Sequence, residues 1–155
     1  MAWSNSKIFT SLITDALNNT AAIDLNTDTP KVALYGTTPT PSQSVTSANS
    51  AYAVDQWVVG SEISSAGQWA AGGVALSSIS STFASNVYTF TAANTASGST
   101  ATLVAVFGCL VYEDTLTTPV ADQGMCYNYF GGTQTVTSGT FTVLWNASGI
   151  FFLTL

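Results

Sequence analysis

Residues 139–155 carry a clear β-strand pattern and read Gly-Thr-Phe-Thr-Val-Leu-Trp-Asn-Ala-Ser-Gly-Ile-Phe-Phe-Leu-Thr-Leu. Phe141, Val143 and Trp145 are spaced two apart, so they share one face of a predicted strand. The segment from Asn146 to Gly149 predicts a turn, because Asn and Gly tolerate positive φ angles. A second apolar strand follows this turn. We expect that strand to be paired and covered, since a free edge of such composition promotes aggregation.

Strand patterns recur through the rest of the chain. Residues 103–112 form a continuous apolar run, which predicts a central strand buried on both faces. Other strands are predicted at 31–35, at 57–63 around Val58-Val59, through Leu76 after a turn or bulge at Gly72-Gly73, at 87–92, and at 124–130 before a turn at Gly131-Gly132. The sequence therefore predicts a mainly β fold, an antiparallel β-sandwich or barrel of about seven or eight strands.

One short N-terminal helix and one long loop complete the predicted organisation. Apolar residues at helical spacing predict a helix over about residues 4–18, which we expect to cover one end of a sheet. Its candidate N-caps are Ser4, Asn5 and Ser6. Residues 36–51 are rich in Thr, Ser and Pro and have no periodicity, which predicts a long loop. A chain of 155 residues is expected to form a single domain.

The charge balance and the apolar runs exclude several classes of partner. The net charge is −6, with two lysines and no arginine, whereas nucleic-acid binding requires clustered basic residues. The same acidity disfavours an anionic membrane surface. No apolar run approaches the roughly 20 residues of a membrane-spanning helix. The N-terminus also lacks the basic flank and unbroken apolar run of a signal peptide, so we expect none.

The surface is predicted to carry very few charges. Only 6% of residues are charged, against about 25% in a typical soluble domain. Such a surface is weakly protected by self-repulsion. One interpretation is that much of it contacts neighbouring subunits, and the other is a β domain solvated by Ser, Thr and Asn. Composition alone leaves both open.

The search for catalytic chemistry returns little. The chain has no histidine, so no Ser-His-Asp or Cys-His arrangement and no usual zinc set can form. Glu113 and Asp114 are adjacent, so on a strand they point to opposite faces and cannot act together on a glycoside. Exposed tryptophans could instead line a sugar platform, although Trp145 is in phase with core residues. We expect no enzyme activity, no cofactor and no metal.

Two weaker signals have structural explanations. Asp24, Asn26 and Asp28 imitate the start of a calcium loop, but Thr29 and Tyr35 stand where that loop needs Gly and Glu. A turn with Asx caps is the preferred interpretation. The only thiols are those of Cys109 and Cys126, both in apolar surroundings. Buried and reduced cysteines are preferred, and a disulfide between neighbouring strands stays open.

Several short motifs together indicate a family. They are Asp28 to Leu34, Gly72 to Leu76, Val111 to Asp114, Gly139 to Trp145, and Gly149 to Leu153. In this order, after a short N-terminal helix, the chain resembles a family of small structural proteins of tailed bacteriophages, particularly those infecting actinobacteria. The resemblance covers nearly the whole chain, although no single motif is specific.

The resemblance implies a non-enzymatic virion protein. It would bind the assembled capsid shell as a decoration or cement protein, on the outer surface of the phage head, after synthesis in the host cytoplasm. The implied partners are the major capsid protein and copies of the chain itself, with a trimer as one option. A tail-associated minor structural protein is the alternative, and a carbohydrate-binding β module is a more distant one.

Two segments are predicted to reach neighbouring subunits. They are residues 3–9 and the 36–51 loop, because their aromatic and apolar residues have no evident cover in the sequence. The candidate contact residues are Trp3, Ile8, Phe9, Pro39, Pro41 and Val45.

Overall fold

A computed structural model describes residues 3–155 and confirms the predicted mainly β fold with antiparallel sheets. The strands are β1 (Lys7–Ile8), β2 (Pro30–Tyr35), β3 (Val74–Ala75), β4 (Ser80–Ala84), β5 (Val87–Thr91), β6 (Thr95–Ala96), β7 (Ala101–Glu113), β8 (Gly124–Gly139), β9 (Thr142–Val143) and β10 (Phe151–Thr154). The helices are α1 (Thr10–Leu17) and α2 (Ser47–Ser50). The described part of the chain has more strands than predicted because four of them are only two residues long.

The larger sheet has five strands in the order β1-β8-β7-β2-β3, with β7 at its centre. The predicted central strand at 103–112 is confirmed, and every residue from Val106 to Glu113 is buried. Its neighbours β8 and β2 both run antiparallel to it. From Gly108 onward the apolar run is therefore covered on both edges and both faces, whereas Val104 and Ala105 near its start are exposed.

The segment at 139–155 forms two strands that do not pair with each other. β9 pairs with β6, whereas β10 pairs with β5 in a three-stranded sheet of order β10-β5-β4. The predicted turn is present, with the Gly149 N–H donating to the Asn146 carbonyl at 2.8 Å. The expectation of a covered C-terminal strand holds on one side only, because β10 is the edge of its sheet.

The predicted start of the N-terminal helix is wrong. Instead of a helix from about residue 4, residues 7–8 form β1 against β8, and α1 begins at Thr10. The Ser6 hydroxyl accepts from the Tyr129 N–H at 3.0 Å, and Phe9 takes the N-cap position without a side-chain cap. Sheet pairing has replaced the local capping signal of the three polar residues.

Three further boundaries differ from the prediction. Residues 57–63 do not form a strand, but two short 3₁₀ helices at Asp55–Trp57 and Val59–Ser61. Gly131 and Gly132 do not end a strand, because β8 continues to Gly139 through a register shift opposite β7. Their positive φ angles accommodate this irregularity without a Cβ clash. The 36–51 loop contains helix α2 at its end.

Five aromatic rings form a cluster on the larger sheet, and the N-terminal segment supplies two of them. The cluster members are Trp3, Phe9, Tyr35, Trp57 and Tyr127. The Trp3 and Trp57 rings meet edge to face with centroids 5.8 Å apart, and Trp57 lies 5.1 Å from Tyr35 in the same manner. Such contacts add to the free energy of burying the rings. Trp3 and Phe9 of the N-terminal segment are therefore part of the hydrophobic core.

Candidate interaction surface

The structure divides the six candidate contact residues into two groups. Trp3, Phe9 and Pro39 are buried within the chain itself. The Trp3 indole N–H even donates to the Gly36 carbonyl at 2.9 Å, which satisfies its polar atom internally. The assumption that these aromatic residues are uncovered is therefore wrong, because the 3₁₀ region and β8 cover them. The second group consists of Ile8, Pro41 and Val45, which are half-buried and retain some solvent-accessible surface.

The 36–51 loop is attached to α1 and the β7–β8 connection. The Thr10 N–H and hydroxyl both donate to the Gln43 carbonyl, at 2.9 and 3.0 Å. The Asp15 carboxylate accepts from the Ser47 hydroxyl and from the Gln123 amide. These bonds satisfy polar groups between three segments, so the loop is an integral part of the fold.

A carboxylate beside the Gly72-Gly73 turn has a structural role. Glu62 accepts from the backbone N–H groups of Gly72 and Gly73, at 3.0 to 3.1 Å, and from the Tyr52 hydroxyl at 2.7 Å. The Tyr52 ring stacks on Tyr112 with centroids 4.8 Å apart. Burial and the neighbouring Glu62 charge raise the pKa of Tyr52. All of this carboxylate's oxygens are occupied, so it offers no free catalytic group.

The adjacent acids Glu113 and Asp114 diverge as predicted. Asp114 forms an ion pair with Lys31 at 2.8 Å. Glu113 is buried, and its Oε1 accepts from the Thr115 N–H at 3.0 Å while its Oε2 has no partner. Burial raises the pKa of the Glu113 carboxyl above its ordinary value. The two carboxylates cannot act on one substrate from this arrangement.

The segment that resembles the start of a calcium loop, residues 24–28, forms the predicted turn with Asx caps. Asp28 accepts from the Asp24 N–H at 2.6 Å, and Asp24 accepts from the Asn26 N–H at 3.0 Å. The Asn26 amide oxygen accepts from the Ser81 hydroxyl at 2.9 Å. One oxygen of each of these three side chains is thus bonded within the protein, two of them inside the turn and one to β4. Within residues 3–155, no group of three His, Cys, Asp or Glu side chains is placed to hold a metal ion.

Both cysteines are buried and reduced, which agrees with the preferred interpretation. They lie on the neighbouring strands β7 and β8, where Cys109 pairs with Asn128 and Cys126 with Val111. Burial raises the pKa of both thiols, that of Cys126 to about 12. The thiolate forms are therefore scarce at neutral pH, and the side chains act as small apolar core residues.

The tryptophans do not form the platform that a carbohydrate-binding module requires. Trp3, Trp57 and Trp69 are at most 1% exposed. Trp145 is half-buried, and its indole N–H is directed at the Thr95 hydroxyl at 3.3 Å. Stacking on a sugar needs an accessible aromatic face, and these four side chains do not present a coplanar set.

Uncovered apolar side chains surround the three-stranded sheet. The large apolar residues exposed in or next to its strands are Phe83, Phe152 and Leu155, with exposures of 60%, 55% and 81%. Phe83 shares a face with Tyr88 and Leu153, whereas Phe152 lies on the opposite face. The sequence did not predict that these residues are exposed, although the adjacent pair Phe151-Phe152 indicated that one of its two rings would be. Adjacent residues of a strand point to opposite faces, so one of the two rings had to leave the core.

Two grooves border this sheet. One has a volume of about 720 Å³ and lies between β1, the start of α1 and β10. The other has a volume of about 520 Å³ and lies between α1, the turn at 23–26 and the inner face of the sheet. Its apolar lining includes Leu12, Ile23, Leu25, Phe83, Tyr88 and Leu155. Accessible apolar surface thus borders the three-stranded sheet, and further exposed apolar side chains, among them Val59, Val104 and Leu144, lie elsewhere in the fold.

Comparison of the chain with protein-family models, with curated proteins and with solved structures gave no match. None of the helices between residues 3 and 155 has the length and apolar character needed to cross a membrane.

Proposed function

We propose that this chain is a non-enzymatic phage virion protein that binds the assembled capsid shell as a decoration or cement protein. The observation that supports this best is the accessible apolar surface around the three-stranded sheet, on a chain of which only 6% is charged. Apolar grooves on a folded domain are candidate interaction sites, and two of them border this sheet. When a decoration protein binds the capsid shell, the shell covers this apolar surface.

The proposed mechanism is stabilisation by preferential binding. A cement protein that binds the assembled lattice but not the free subunits shifts the equilibrium towards the lattice by mass action. Contacts with more than one neighbour increase the effect through effective concentration. The partners under this proposal are the major capsid protein and further copies of this chain.

The residues that can serve this role differ from those first selected. Of the candidate contacts, Ile8, Pro41 and Val45 retain accessible surface, whereas the two buried aromatic residues do not. Phe152 and Leu155 add larger apolar surfaces nearby. We propose this set as the shell-facing side.

Electron cryomicroscopy of purified particles tests the proposed function. Particles from a virus carrying the gene are compared with those from a deletion mutant. Density on the outer shell that the deletion removes supports decoration, and its position relative to the local symmetry axes gives the oligomeric state. Density confined to the tail would contradict decoration and support the tail-associated alternative, and the absence of the protein from particles would contradict both.

A further inference from the structure

The groove of about 720 Å³, here called the strand cleft, lies between two sheet edges. One wall is β1, the edge of the five-stranded sheet, and the other is β10, the edge of the three-stranded sheet. Lining residues from these two walls include Ser6, Lys7, Ile8, Gly149, Phe152 and Leu153. A groove between two strand edges differs from an ordinary apolar pocket, because its walls present backbone hydrogen-bonding groups.

The backbone groups of β10 that face the cleft have no strand to bond. The Leu155 N–H donates to the Asn86 carbonyl at 2.9 Å, across the β10–β5 pair. Since backbone groups alternate in direction along an antiparallel strand, Phe152 and Thr154 direct theirs away from β5. Phe152 also lines the cleft.

The same reasoning applies to β1 on the opposite wall. The Phe9 N–H donates to the Met125 carbonyl at 3.1 Å, which places that residue in the hydrogen-bonded phase of the β1–β8 pair. Ile8, opposite Cys126, is therefore in the other phase and directs its backbone groups away from β8. Each wall of the cleft thus offers a donor and an acceptor to an incoming strand.

The cleft has an unusual charge for this molecule. The chain carries eight acidic residues and two lysines, yet the described lining of the cleft contains Lys7 and no carboxylate. Lys31 is already paired with Asp114 at 2.8 Å, whereas Lys7 has no such ion pair among the described residues. A negatively charged group is therefore attracted to this cleft and repelled by most of the remaining surface.

We propose that the strand cleft binds an extended segment of a different polypeptide, which hydrogen-bonds to β1 and β10 and places a carboxylate beside Lys7. A strand residue fills on the order of 160 Å³, from the spacings along and between strands and between sheets. The cleft therefore holds about four or five residues. The added strand would join the five-stranded and three-stranded sheets into one continuous sheet.

A different polypeptide suits the cleft better than a second copy of this chain. The net charge of −6 on each copy disfavours a second copy in the cleft when the protein is free in solution, whereas an arriving segment needs only a local carboxylate. This proposal goes beyond the proposed function, since it holds for any partner that offers such a segment.

The first experiment selects ligands without assuming a partner. A displayed library of random eight-residue peptides is panned against the immobilised full chain. We expect enrichment of peptides without proline that alternate apolar and polar residues and carry one Asp or Glu. Failure to enrich any peptide, or enrichment of helical or proline-rich peptides, would overturn the proposal.

The second experiment maps the selected peptide with matched proline variants. Phe152→Pro removes the N–H that faces the cleft, while Phe83→Pro removes an equivalent outward N–H at the opposite edge of the same sheet. Both side chains are similarly exposed, at 55% and 60%. Phe152→Pro should weaken peptide binding at least about tenfold, because it removes a hydrogen bond and blocks the strand's approach. Phe83→Pro should leave the dissociation constant within about twofold.

Further measurements separate backbone pairing from other effects. Phe152→Thr keeps the N–H and should bind the peptide more tightly than Phe152→Pro, and melting curves show that each variant is folded. Lys7→Gln should weaken the binding of an Asp-containing peptide by about threefold to tenfold. It should leave the binding of the same peptide with Asn in place of Asp unchanged. Equal binding by both proline variants would overturn the proposal. Dimerisation of the wild-type chain that Phe152→Pro abolishes would also overturn it, by identifying a second copy as the occupant.

Discussion

The two main sheets differ in how completely the chain covers them. In the five-stranded sheet, the central strand β7 is paired on both edges, and the aromatic cluster covers its face near Gly108. In the three-stranded sheet, β10 and β4 are both edges, and Phe83 and Phe152 remain exposed. The comparison indicates that the centre of the five-stranded sheet stabilises the monomer, while the open edges β1 and β10 leave surface for a partner. Variants on either side can test this division.

The largest expected effect comes from removing an aromatic ring of the five-stranded sheet. Trp3→Ala should lower the free energy of unfolding by about 3 to 5 kcal/mol, because a buried ring and its contacts are lost. Leu17→Ala, at a residue that is 82% exposed, serves as control and should change it by less than about 0.5 kcal/mol. Urea unfolding measures both. Similar small losses for the two variants would show that the N-terminal segment is not part of the core.

A smaller loss is expected from adding one methyl group beneath the same ring. A Cβ at Gly108 would lie 2.4 Å from the Trp3 ring and 2.6 Å from the Asn128 carbonyl. Gly108→Ala should therefore cost about 1 to 3 kcal/mol through overpacking. Gly60→Ala is the matched control, since a Cβ there meets nothing within 4 Å. Thermal unfolding measures both variants. Equal melting temperatures for the two would contradict the close packing around Gly108.

A pH-dependent gain is expected at the end of β7. Because burial raises the pKa of Glu113 in the folded state, its ionised form destabilises the fold at neutral pH. Glu113→Gln keeps an oxygen for Thr115 and should raise stability by on the order of 1 kcal/mol at pH 8. The wild-type carboxyl takes up its proton more readily when folded, so the advantage of the variant shrinks as the pH falls towards 4.5, the ordinary glutamate value. A constant difference between pH 8 and pH 4 would refute the assignment of a buried charge.

The smallest effect on stability is expected from a substitution in β10, the edge strand of the three-stranded sheet. Phe152→Thr should change the free energy of unfolding by less than about 0.5 kcal/mol, because the ring is 55% exposed and lies on the outer face. The same variant should reduce occupancy on particles, which quantitative mass spectrometry of purified virions measures. A large loss of stability with unchanged occupancy would reverse the roles assigned to the two sheets.

The sequence predicted features whose cause is local and periodic. The continuous run at 103–112, the turn at Asn146 to Gly149 and the divergence of Glu113 from Asp114 all follow from strand periodicity or turn chemistry. The helix start was wrong because β1 has only two residues and its pairing with β8 lies more than 100 residues away in sequence. No local signal records such a contact.

The expectation that Trp3 and Phe9 are uncovered was wrong for a related reason. The sequence near the N-terminus shows no residues that would cover Trp3. In the fold, Gly36, Trp57 and Tyr127 surround its side chain. Conversely, the strand cleft could not be predicted, because it depends on which two strands become sheet edges. Sheet order is a tertiary property, and the spacing of residues along one strand does not determine it.

Amide hydrogen exchange of the free protein, resolved by residue, tests the division between the two sheets most directly. We expect amides from Val106 to Tyr112 to exchange only through global unfolding, and those of Ile8 and Phe152 to exchange at nearly unprotected rates. If Ile8 and Phe152 were as protected as β7 in the free protein, the edges would already be covered. That result would contradict an open sheet awaiting a partner.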